Sequence, residues 1–153
     1  MHSTILIFKF LSLCIIIGAT ITVGAVVAPI VFGMLARAEA GEIMIKVFKR
    51  YDSWLLISVI ILLVCSLLQY FFQLQAASFN VAALPLNQHF QLLVTLIITA
   101  ISFYLTLKLA GDLLSVRESD PILFREIHLL SEKLHKANFF LGILLIILTI
   151  IGL

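Results

Sequence analysis

Four long apolar runs, at 5–35, 54–74, 90–107 and 137–153, leave this chain few ways to fold. A hydrocarbon core about 30 Å thick is crossed by roughly 17 to 25 helical residues, and lipid obliges every backbone N–H and C=O to pair within its own segment. The runs therefore predict four membrane-spanning helices. Composition agrees: 63% of residues are hydrophobic and 12% charged, against roughly 25% charged in an ordinary soluble domain. The expected fold class is all-α, an integral-membrane four-helix bundle occupying residues 1–153 as one domain, with no room left for a soluble catalytic unit.

Charge placement predicts the topology. Nine of the ten lysines and arginines and all eight acids fall in or beside the first and third connections, whereas the second, 75–89, carries none. Positive residues mark the cytoplasmic side. Both termini are accordingly expected outside an inner or plasma membrane. Lys9 lies near enough to the outer end to snorkel to the headgroups.

The first run is about 46 Å long as a helix, too long for the bilayer to hold upright. Pro29 predicts a bend, because it cannot donate to the carbonyl of Ala25. Gly18, Thr22, Ala25 and Pro29 recur at helical spacing and read as a small-residue packing face. From 38 to 51, Glu39, Glu42, Lys46 and Lys49 take one side and Ile43, Met44, Val47, Phe48 and Tyr51 the other. That pattern predicts a separate amphipathic helix flat on the cytoplasmic surface. A second such segment is expected ahead of the fourth span, with Asp120 as N-cap, Pro121 in the first turn, and one continuous helix from Ile122 into the membrane.

Inside the spans, Cys14 and Cys65 read as inert thiols. Thr95, Thr99, Ser102 and Thr106 step by four, three and four along the third span. In lipid such hydroxyls seek partners on neighbouring helices; lining a hydrated path is the alternative, with Gln69, Gln73, Gln88, Gln91 and His89 at its outer mouth. On the cytoplasmic half of the last helix Arg125, His128, Glu132 and His135 share a face. His128, Glu132 and His135 are candidate metal ligands, although their spacing matches no established zinc signature and a solvated face looks the same. No charge occupies the middle of a span, which argues against an ion-coupled transporter. There is no nucleophile with a base beside it, no phosphate-binding glycine loop and no nucleic-acid patch, so a non-enzyme without cofactor is expected.

The run GAVVAPIVF at 24–32, followed by Ala40-Gly41, Phe48 and Tyr51, resembles the opening signature of the transmembrane protein 205-like family, also known as domain of unknown function 4149. FREIHLLSEKLHKANFFLGI at 124–143 resembles its closing stretch, with His128, Ser131 and Asn138 on its marked positions. Lys49 and Ala36 depart from it, standing where the family often has proline. The resemblance implies a four-span membrane protein without a settled biochemical activity, some animal members being linked to drug resistance and secretion. It marks Pro29, Gly41, His128 and Ser131 as working positions. Transport or an efflux-accessory role is the leading expectation. The alternatives are a structural or assembly partner, seated in the lipid bilayer, whose small-residue grooves and amphipathic helices dock further copies or other membrane proteins, and a membrane-embedded metal or redox protein.

Overall fold

The computed structural model describes residues 2–116 and 121–152. Regular structure among them is helical throughout. The first span is α1 (His2–Ile21), a π-helical stretch Thr22–Val27, and α2 (Ala28–Met34). Pro29 offers no N–H to the preceding turn, and the register slips just before it: the Ala28 N–H reaches back to Val23 O, five residues away. The bend expected of proline is thus taken up as a π-turn.

After the two-residue link Leu35-Ala36, α3 (Arg37–Ala76) runs 40 residues without a break. The separate surface helix expected at 38–51 is not there. No glycine or proline separates Tyr51 from Trp54, and the buried positions Ala40, Met44, Tyr51, Leu55, Val59 and Leu62 keep one helical stripe across the junction. The amphipathic segment and the second span are one rod, with Glu42, Lys46 and Lys49 on its outer side. It ends in a turn with Ser78 and Phe79 at φ 52° and 61°, closed by a bond from Phe79 N–H to Leu74 O. A single 3-10 turn, Val81–Ala83, follows, with the Asn80 side chain accepting from Ala82 N–H.

The third span is α4 (Leu86–Tyr104), a second π-helical stretch Leu105–Leu109, and α5 (Ala110–Val116). The fourth is α6 (Pro121–Ile151), one helix from its charged half into the membrane, as the continuous register predicts. The proposed Asp120 cap lies outside the described residues.

The four spans pack in a ring, α1 on α3, α3 on α4, α4 on α6 and α6 on α1. His2, Gly152 and the 77–85 connection lie at one end, here the termini end; the Leu35-Ala36 link and the basic helical segments 37–50 and 125–136 lie at the other, the basic end. Leu13, Ile16, Leu55, Val59, Leu62, Val94, Ile98 and Leu145 fill the centre. Gly142 brings α6 against α1, since a Cβ there would meet the Ile17 side chain at 3.1 Å. The face expected to pack, Gly18, Thr22, Ala25 and Pro29, is exposed. α1 turns inward its stripe of larger side chains, Lys9, Leu13 and Ile16, which fills more of the interior.

Candidate functional site

The stripe that α1 buries begins with a charge. Lys9 is 1% exposed, and its Nζ donates to Gln91 Oε1 at 2.7 Å and to Gln69 Oε1 at 3.1 Å. It does not snorkel, because two amide oxygens inside the bundle already satisfy it. Gln69 stands 15 positions beyond Trp54, hence roughly 22 Å up the rod from that interfacial residue and about 8 Å short of the far side of a 30 Å core. All eight acids lie within 39–52 and 112–132, so the spans supply no carboxylate. Among the described residues the ammonium donates only to neutral amides, and desolvating a lone charge costs several kcal/mol. Hydrogen bonds made by an ionised donor, about 1.5–3 kcal/mol each, offset part of that.

The cradle is itself anchored. Gln91 Nε2 and Asn87 Nδ2 both donate to Leu148 O on α6, at 3.0 and 2.9 Å. This shared acceptor orients both amides: their nitrogens face α6 and the Gln91 oxygen faces Lys9. One turn deeper, Thr95 Oγ1 donates to Gln91 O at 2.8 Å; its single proton is thereby committed, so Ser66 Oγ donates to Thr95 across 3.2 Å. Beside this cluster Tyr70 OH meets His89 Nδ1 at 3.2 Å, and Gln88 is buried.

Toward the basic end comes a dry layer. Val59, Leu62, Ile98 and Leu145 have no exposed surface and separate the Lys9 cluster from a second polar group. There Asn138 Nδ2 donates to Ser102 Oγ at 2.9 Å, while Asn138 Oδ1 and the buried Thr106 hydroxyl have no protein partner. Nearby, Thr20 Oγ1 gives its proton to Ile16 O at 2.7 Å. Tyr51 OH, 2.9 Å from Thr20 Oγ1, must then donate to it. His135 Nδ1, 3.3 Å from that phenol oxygen, is left to donate in turn. The chain of protons selects the Nδ1–H form of His135, with the lone pair on Nε2.

The sequence candidates divide between these groups and the surface. Thr95 and Ser102 are fully buried in bonds to α3 and α6, and Thr99 donates to Thr95 O within its own helix; at these positions the hydroxyl stripe is a packed seam. His128, Glu132 and His135 are not brought together. His128 stacks on Phe124 at 6.1 Å, Glu132 pairs with Lys136 at 2.6 Å, and His135 turns to Tyr51. No group of three metal-ligating side chains occurs among the described residues. Pro29 is exposed beside its π-turn, Gly41 is half-buried on α3, and Ser131 is half-buried on α6. Cys14 is exposed, Cys65 buried, and both thiols are free. Lys9 is the residue that reading in one dimension missed. The signal for it was present: Gln69 and Gln91 lie at its depth on two other spans.

The sequence model of one family, described as a domain of unknown function (DUF4149), matches residues 11–111. That range covers the GAVVAPIVF signature and stops short of the 124–143 stretch. No curated protein and no solved structure matches the chain.

Proposed function

We propose, for a chain that belongs to the DUF4149 family, a non-enzymatic transport or efflux-accessory role in which Lys9 is the working ionisable group. The observation that carries this reading is the buried ammonium that, among the described residues, is held by Gln69 and Gln91. A packing role would be served by an apolar side chain of the same length without the desolvation cost, and ionisable groups inside a span mark ion and substrate pathways. The dry layer under the cluster suits such a role: it separates two polar half-sites, as a barrier that closes one side while the other is loaded. On the charge distribution we place the protein in an inner or plasma membrane with both termini outside. The test is a solute screen in proteoliposomes on a solid-supported membrane. The wild-type chain is expected to give charge-displacement currents with at least one class of charged solute, and Lys9→Met to reduce them at least tenfold. Currents of equal size from the two proteins would end this reading.

One observation favours assembly with another membrane helix. Gly18, Thr22, Ala25 and Pro29 are exposed on the least buried of the four spans. Of these, Thr22 borders a groove of about 460 Å³ against α3, whose wall also includes Ile15, Ala19, Val47, Arg50, Tyr51 and Trp54. Small residues in lipid let a second helix approach closely. Ala25→Cys should then crosslink in native membranes to a second copy or a constant partner; random, weak crosslinking would remove the assembly reading.

A further inference from the structure

An amide oxygen buried in a membrane bundle needs a donor, and two near Lys9 have none. Among the described residues, Gln73 Oε1 and Asn87 Oδ1 are buried without a protein partner. They are one helical turn outward from Gln69 and Gln91, the oxygens that hold the Lys9 ammonium. The antiparallel register of α3 and α4 places them at one level: Ser66 meets Thr95, Gln69 and Gln91 meet at Lys9, and Tyr70 meets His89. The next turn in that register pairs Gln73 with Asn87. Nor is the Asn87 oxygen interchangeable with its nitrogen, because Nδ2 is committed to Leu148 O. Gly152 closes the wall on the α6 side, where a Cβ would collide with the Asn87 and Gln91 amides.

We propose that Gln73 and Asn87 form a binding station for an ammonium-type cation, either ammonium itself or a primary alkylammonium, in competition with the Lys9 charge. The chemistry repeats what the protein does one turn deeper, where two neutral amide oxygens on facing helices receive N–H donors. An anion would meet oxygen lone pairs. A divalent metal ion would require carboxylates, which the spans lack. Two positive charges one turn apart, about 5.4 Å, repel by an amount that weakens binding roughly a hundredfold at an effective dielectric of about 20. Occupancy of the station and protonation of Lys9 therefore oppose one another, which is the coupling an exchanger needs. The inference deepens the transport reading by naming a ligand class; equilibrium binding without a gradient tests it apart from flux.

The experiment is calorimetric titration of methylammonium chloride into the full chain in lipid nanodiscs. Lys9→Met is expected to bind about a hundredfold more tightly than wild type, Gln73→Met on that background to lose at least tenfold, and sodium chloride to give no comparable binding. Absence of saturable binding to Lys9→Met, binding that Gln73→Met leaves unchanged, or equal binding of sodium would overturn the proposal. Should Lys9→Met fail to fold, Gln73→Met in the otherwise unaltered chain must weaken methylammonium binding at least tenfold; unchanged binding, or none by wild type, overturns it equally.

Discussion

The two ends of the bundle interior are polar in different ways. At the termini end a full charge is enclosed by amide oxygens, with two further oxygens unfilled beyond it. At the basic end the bonded buried groups are neutral, Asn138 on Ser102, and Thr20, Tyr51 and His135 in a directed chain, and here too, among the described residues, an amide oxygen (Asn138 Oδ1) and a hydroxyl (Thr106) lack a protein partner. Neutral hydrogen bonds between spans hold helices together at modest gain, averaging about 0.6 kcal/mol. An enclosed charge does the opposite, because its cradle mostly compensates for a cost the charge itself introduces. One end is built for cohesion; the other carries a group whose presence needs a reason.

The largest expected effect tests that contrast directly. Gln91→Leu should destabilise the bundle by about 3–5 kcal/mol, as removal of one partner of a buried charge does. The double variant with Lys9→Met should recover most of it, since apolar replacement of the whole group is near neutral or stabilising. Unfolding by SDS titration measures both, and a double variant as unstable as the single one would show that Lys9 is not the costly member. Next in size, Gly142→Ala at the α1–α6 contact should cost about 1–2 kcal/mol net, the overpacking against Ile17 less the gain of about 1 kcal/mol in helix propensity. It should do so without altering methylammonium binding. Tyr51→Phe at the basic end should cost about 0.6–1.7 kcal/mol and change the His135 tautomer, visible in ring-nitrogen NMR shifts; an unchanged spectrum would deny the proton order deduced from Thr20. The smallest effect is expected of Pro29→Ala on an exposed surface, within about 0.5 kcal/mol. Its readout is amide exchange, with the Ala28 N–H regaining an ordinary helical partner.

Much of this architecture was legible before any coordinates. The four spans follow from length and apolarity, and the unbroken α6 from the register that runs past Ile122. Three expectations fail for physical reasons, the small-residue packing face of α1 first among them, because the larger stripe of Lys9, Leu13 and Ile16 fills the interior in its place. The 38–51 segment was read as a surface helix because its apolar side was assumed to face lipid headgroups; it faces the core, since Ala40 and Met44 continue the stripe of Leu55 and Val59. Lys9 was sent to the headgroups because a single span shows no acceptors. Only the ring order of helices reveals that Gln69 and Gln91, 60 and 82 positions away, meet at its ammonium. Of the stripe on α4, Thr95 and Ser102 meet polar groups on neighbouring helices, while Thr99 donates only to the Thr95 carbonyl of its own helix; which positions face a polar partner depends on the helix arrangement, not on the spacing within one span.

The length of α3 has a mechanical consequence. Forty residues in one unbroken helix make a strut about 60 Å long, twice the thickness of the hydrocarbon it crosses. Gln69 and Gln73 ride near one end of it, Lys46 and Lys49 near the other. A tilt of about 5° around its middle would carry each end through roughly 2.6 Å, as far as a hydrogen bond is long. Were α3 to tilt as one body, a push on its basic end would alter the grip of Gln69 on Lys9.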